Sequence, residues 1–256
     1  MSRLIKKIAA PALVVGVVAA VANMAYAADV RIGTEGAYPP WNFIDDSGKL
    51  AGFEIDLGNA LCEKAGVSCE FVQNEWDSII PNLVAGNYDV IMAGMSITDE
   101  RRETINFSEE YFPPTPSQFV AAVGAGLDFD NLKGVKIGAQ GATIQAAHLE
   151  ENMAEGNTLL TYETPDQSVA DLMAGNIDIL FADGDFLFPV VDGSGGKLEV
   201  VGPGVSIGGG VGMGMRKDAT ELQEKMAAAL EELKADGTLD KLIMESFEKE
   251  TNYAEN

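Results

Sequence analysis

Leu83-Val84-Ala85-Gly86-Asn87-Tyr88-Asp89-Val90-Ile91-Met92-Ala93-Gly94 is echoed 89 residues later by Leu172-Met173-Ala174-Gly175-Asn176-Ile177-Asp178-Ile179-Leu180-Phe181-Ala182-Asp183. Each copy reads as the end of a helix, a Gly-Asn turn and a buried apolar strand. The interval is too long for a solenoid, whose repeats run roughly 20–50 residues. Two similar α/β lobes, each contributing one equivalent strand, explain the echo. In open α/β sheets, ligands sit beyond the carboxyl ends of the strands. Those ends are Ala93-Gly94-Met95-Ser96 in one copy and Ala182-Asp183 in the other. Lobes that face each other would line a single cleft with them.

Outward from the echo, short Val/Ile-rich runs alternate with helix-like segments. Strands are expected at Val30–Ile32, Glu70–Gln73, Tyr88–Ala93 and Val135–Ala139. Helices are expected at Asp56–Ala65, with Gly66 as its stop, and at Asp77–Ala85, Thr143–Asn152, Ala219–Ala235 and Leu239–Phe247. This alternation predicts an α/β chain with largely parallel sheets. Pro113-Pro114-Thr115-Pro116 reads as a stiff crossing between lobes, and Ile207-Gly208-Gly209-Gly210-Val211-Gly212 as a flexible return. The first lobe is then discontinuous, residues 28–114 and 210–256, with the second lobe inserted as 115–209.

At the amino end, Arg3, Lys6 and Lys7 precede an apolar run, Ala9 to Val21, and Ala25-Tyr26-Ala27 fits signal cleavage after Ala27. The run is shorter than the roughly 20 residues of a spanning helix. Cleavage would take the net charge from −23 to −26, because only those three positive charges leave. So acidic a chain is not expected to bind nucleic acid or anionic lipid. Cys62 and Cys69, in an exported protein, are expected to form a disulfide. No metal site is expected, since neither cysteine belongs to a CxxC pair and the only histidine is His148. The chain lacks GxxxxGK[ST], GxGxxG and HExxH, and His148 reads as a helix-surface residue rather than a general base.

Several segments, in order, carry a family resemblance. They are Arg31-Ile32-Gly33-Thr34-Glu35-Gly36-Ala37-Tyr38-Pro39-Pro40-Trp41, Gly52-Phe53-Glu54-Ile55-Asp56-Leu57, and Gly94-Met95-Ser96-Ile97-Thr98-Asp99-Glu100-Arg101. Gln140-Gly141-Ala142-Thr143 and Asp236-Gly237-Thr238-Leu239-Asp240-Lys241 complete them. From about Val30 to Phe247 the chain resembles the periplasmic polar amino-acid-binding proteins of ABC importers, particularly the lysine/arginine/ornithine, histidine and opine binders. The resemblance implies the type II two-lobed fold, each lobe a mixed sheet flanked by helices. It also implies a monomer without cofactor or catalysis that hands its ligand to a membrane permease from the periplasm.

By the same resemblance, Arg101 holds the ligand α-carboxylate, helped by backbone N–H groups near Ser96 and Thr143. A guanidinium grips a carboxylate bidentately, and Thr143 opens a helix whose free N–H groups favour an anion. Asp183 takes the α-ammonium, with the Gly94 carbonyl as a further acceptor. Tyr38 and Trp76 match the aromatic positions that sandwich the ligand side chain, and Glu35 matches an acid facing its distal end. Ala93 stands where several binders of cationic ligands have serine, and glutamine binders show a similar Ala-Gly pair. The expected ligand is therefore a basic amino acid or opine, then histidine, with glutamine as an alternative. An exported enzyme resembling cyclohexadienyl dehydratase is the other alternative, but its substrate class has no use for an ammonium acceptor.

Overall fold

A computed structural model describes residues 28–255 of the chain; the expected signal segment, residues 1–27, lies outside them. Two five-stranded sheets form the frame. The first runs Cys69–Gln73, Val30–Thr34, Val90–Ile91, Val211–Met215, Asn106–Phe112. The second runs Thr158–Tyr162, Lys136–Gln140, Ile179–Asp183, Ser117–Ala122, Leu198–Val205. Each is the sheet of one lobe, flanked by helices.

The echoed segments are built alike. Gly86 and Gly175 both take the left-handed conformation, φ 80° and 74°, which glycine adopts without a Cβ penalty. After each, an Asn amide N–H caps the preceding helix, Asn87 N to Asn82 O and Asn176 N to Asp171 O. An Asp then closes the turn on the neighbouring strand. Asp89 N donates to Arg31 O and its carboxylate accepts from Arg31 N. Asp178 N donates to Lys136 O and its carboxylate accepts from Lys136 N. Val90–Ile91 thereby runs parallel to Val30–Thr34, and Ile179–Asp183 parallel to Lys136–Gln140. Both therefore end on the same side of their sheets as the strands they follow.

The sheets are mixed rather than largely parallel. The chain leaves the first sheet along Asn106–Phe112, crosses at 113–116, and enters the second along Ser117–Ala122, antiparallel to Ile179–Asp183. It returns from Leu198–Val205 to Val211–Met215, which is antiparallel to both of its neighbours. A strand arriving from the opposite lobe enters the sheet from the cleft side, so its direction is reversed. The return crossing is packed backbone to backbone: Ile97 N donates to Gly210 O and Gly209 N to Ile97 O. A Cβ on Gly210 would lie 2.6 Å from Phe112 O, so close approach, not only flexibility, requires glycine there.

The helix expected at Asp56–Ala65 begins earlier, at Phe53, and stops at Gly66 with φ 65°. The one expected from Asp77 is a 3-10 turn, Trp76–Ser78, leading into Ile79–Val84. Leu57 and Leu61 from the first pack with Met226, Leu230 and Leu233 of Thr220–Ala235 beneath the first sheet. Phe119, Phe181 and Leu149 centre a second cluster in the inserted lobe. Cys62 and Cys69 form a disulfide joining the end of the Phe53–Ala65 helix to the edge strand. Among the described residues no helix is long and apolar enough to cross a membrane.

Candidate functional site

The carboxyl ends of the echoed strands meet in one cavity between the lobes. Glu35, Tyr38, Trp76, Ala93, Gly94, Ser96 and Arg101 line it from the first lobe, Thr143 and Asp183 from the second. All nine residues singled out in the sequence thus share a wall.

Arg101 sits in the short helix Asp99–Thr104, whose cap, Thr98, accepts from Arg101 N. Its Nη1 donates to Ser96 O at 2.8 Å, and the guanidinium carbon lies 5.3 Å from the Trp76 ring centroid. Among the described residues it forms no salt bridge. Desolvation brings its pKa down to about 10, so it remains charged at neutral pH. Asp183 closes the strand Ile179–Asp183 at the start of the helix Gly184–Gly193, but its side chain does not cap that helix. Instead Oδ2 accepts from Tyr38 Oη at 2.7 Å and Oδ1 from Gln145 Nε2 at 2.8 Å. Burial pushes the Asp183 carboxyl up, opposed by the Tyr38 hydrogen bond and the positive field of Arg101.

Glu35 follows the strand Val30–Thr34 and is only 5% exposed. Its Oε1 accepts from Gln140 Nε2 at 2.6 Å. Burial, with the nearby negative charges of Asp77, Asp166 and Glu54, pushes its pKa up to about 7. Tyr38 stacks on Phe186 with centroids 4.6 Å apart. Trp76 Nε1 donates to Ala142 O at 3.2 Å. Both aromatic rings are thus engaged by the opposite lobe.

Gly94 holds φ 60° and donates its N–H to Glu54 Oε1 at 2.7 Å. Glu54 is fully buried; Tyr111 Oη also donates to Oε1, and Asn42 Nδ2 donates to Oε2 at 2.6 Å. Asn42 Oδ1 in turn accepts from Gly36 N. One buried carboxylate therefore fixes both the Gly94 turn and the backbone beside Glu35. The Thr143 hydroxyl is occupied locally: it donates to Gln140 O and accepts from Ala146 N as the cap of Ile144–Asn152. What Thr143 can offer a ligand is its backbone, at a helix N-terminus. Sequence reasoning missed Gln140, Gln145 and Phe186. Gln140 opens the quoted Gln140–Thr143 segment, and Phe186 stands three residues after Asp183, one helical turn on. His148 lies outside the cavity, 5.6 Å from the Phe181 ring centroid. No cluster of three potential metal ligands occurs among the described residues.

Arg101, in no salt bridge among the described residues, and Asp183, hydrogen-bonded only to neutral donors, face one cavity, and opposite charges so placed can meet the two charged groups of a zwitterion. The chain is similar to known proteins. The L-arginine-binding protein of Pseudomonas aeruginosa is 39% identical over 83% of this chain and 86% of its own. The lysine/arginine/ornithine-binding periplasmic protein of Escherichia coli is 35% identical, covering 95% and 97%. The crystal structure of a periplasmic His/Glu/Gln/Arg/opine family-binding protein from Silicibacter pomeroyi in complex with lysine superposes with a TM-score of 0.81. It is 51% identical, covering 87% of this chain and 99% of that one. The model of the bacterial extracellular solute-binding proteins, family 3, matches residues 30–249, and this chain belongs to that family.

Proposed function

We propose that this protein captures a polar, basic amino acid (lysine, arginine, ornithine, histidine or an opine) in the periplasm and delivers it to the permease of an ABC importer. One lobe comprises residues 28–114 and 210–256, the other 115–209, and they close over the ligand. The observation that carries the proposal is the pairing of Arg101 and Asp183, opposite charges from opposite lobes with no salt bridge between them. The ligand α-carboxylate would replace water on the Arg101 guanidinium, with the backbone at Ser96 and Thr143 as further donors. The α-ammonium would join the donors already arranged on Asp183, Tyr38 Oη and Gln145 Nε2, with the Gly94 carbonyl as a further acceptor. Because each anchor belongs to a different lobe, only the closed state satisfies both, and the ligand stabilises closure by that difference. The side chain would run between Tyr38 and Trp76 past Ala93 toward Glu35.

A basic side chain is favoured over glutamine by Glu35, a buried acid that no cation neutralises. Names of similar proteins point the same way, to arginine and to lysine/arginine/ornithine. Titration calorimetry against the twenty amino acids, ornithine and octopine tests the proposal. Tight binding confined to basic ligands is expected; no heat with any of them would overturn it.

A further inference from the structure

Gln140 joins the two lobes at the wall of the cavity that Arg101 and Asp183 also line. It ends the strand Lys136–Gln140 in the second lobe, while Glu35 belongs to the first. Its Nε2 donates twice, to Glu35 Oε1 at 2.6 Å and to Glu163 O at 3.1 Å. Both amide hydrogens are therefore engaged. Rotating the amide by half a turn would bring its oxygen against a carboxylate and a carbonyl, so the two acceptors fix its orientation. The Oε1 atom accepts no hydrogen bond among the described residues, and Gln140 lines the cavity together with Glu35. The main chain holds the same residue in place, since Gln140 O accepts from the Thr143 hydroxyl at 2.7 Å.

We infer that Gln140 is a specificity-determining residue. It ties the distal acid Glu35 to the second lobe and sets a neutral acceptor, its Oε1, beside that carboxylate for the N–H groups of a cationic side-chain terminus. Such a terminus meets one anionic and one neutral oxygen, contributed by different lobes, so it stabilises closure as the α-groups do. A side chain ending in an amide brings an oxygen as well as N–H groups and, while Glu35 is ionised, finds two acceptors and no donor. The inference rests on the proposed basic-amino-acid function and deepens it, because it states how the distal charge is recognised and coupled to closure.

Calorimetry with L-arginine and L-glutamine at pH 7.5 tests it on the wild type, Gln140→Met and Gln140→Leu. Both substitutions keep side-chain bulk without the amide, and unliganded melting curves identify which variant is folded. Loss of a lobe-to-lobe contact weakens both ligands alike, so the readout is the ratio of their affinities. In the wild type, L-arginine is expected to bind at least tenfold more tightly than L-glutamine. In the variants that ratio is expected to fall at least fivefold. An unchanged ratio in either folded variant overturns the role of Gln140 and leaves the proposed function standing. Failure of the wild type to bind L-arginine overturns the proposed function, and the inference falls with it. A double-mutant cycle with Glu35→Gln supplies a second readout. The Glu35 and Gln140 effects on L-arginine affinity should be strongly non-additive, and simple additivity would contradict the shared subsite.

Discussion

Discrimination between a charged and a neutral ligand should depend on pH through Glu35. In the closed cleft its carboxyl lies at about 7 instead of 4.5. That difference corresponds to about 3.4 kcal/mol in favour of the protonated form, at 1.36 kcal/mol per tenfold change. Opening exposes the carboxyl to water, separates it from Gln140 and returns it toward the ordinary value. Closing over a neutral side chain therefore takes up a proton. A group raised in the closed state favours closure fully below its open-state pKa and loses that contribution as pH rises through the closed value. For L-glutamine, affinity should fall about 70-fold between pH 5 and pH 8. For L-arginine the guanidinium keeps Glu35 ionised in both states, and the same interval should change its affinity little.

Asp183, also raised by burial, meets the same α-ammonium in both complexes and cancels from the ratio. Asp77, Asp166 and Glu54 act on Glu35 in both complexes as well. The assay is titration calorimetry at pH 5, 6, 7 and 8 in buffers of differing ionisation enthalpy, which counts the protons taken up. The arginine-to-glutamine affinity ratio should climb across the series, and Glu35→Gln should flatten it. Parallel pH profiles for the two ligands, or a sloping ratio that survives Glu35→Gln, would refute the reasoning.

Other expectations concern the frame. Replacing both Cys62 and Cys69 by Ala should lower stability by about 2–3 kcal/mol, the chain-entropy value for so short a loop, read as the shift in a denaturant midpoint with ligand binding retained. Glu54→Gln keeps the shape but replaces one acceptor oxygen by a donor facing N–H or O–H groups. It should destabilise the fold by about 2–4 kcal/mol in denaturant unfolding and weaken ligand binding through Gly94 and Gly36. Tyr38→Phe removes only the hydroxyl bonded to Asp183 and should change L-arginine affinity less than tenfold, whereas Tyr38→Ala also removes the stack on Phe186 and should cost more. Equal effects in calorimetry would show that the ring is not a ligand platform.

The two-lobed α/β frame was legible because the Gly-Asn turn must be written into the chain. Gly86 and Gly175 are needed for φ near +75°, and Asp89 and Asp178 for the bonds that seat each following strand. Strand direction was less legible. Apolar runs report burial but not orientation, so Val211–Met215 gave no hint that it enters antiparallel. The early start of the helix at Phe53 was hidden because Gly52 and Glu54 are poor periodic markers, and Glu54 is turned inward to a polar network instead of to solvent. The candidate site was legible where it coincides with strand ends and family motifs, as at Ser96, Arg101 and Asp183. Gln140 was not, because its partner Glu35 is 105 residues away and nothing local marks an amide that reaches across a cleft. The fate of the Thr143 hydroxyl was equally hidden, since capping and ligand binding call for the same residue at the same place.

The most direct measurement compares L-arginine with agmatine, which lacks the α-carboxylate, and with Nα-acetyl-L-arginine, which lacks the α-ammonium. Each deletion leaves one buried charge, on Arg101 or Asp183, without its partner. Such a loss is worth about 3 kcal/mol or more, so calorimetry should find each analogue at least a hundredfold weaker than L-arginine. Agmatine or the acetylated ligand binding within tenfold of L-arginine would contradict the claim that a zwitterion is gripped between those two residues.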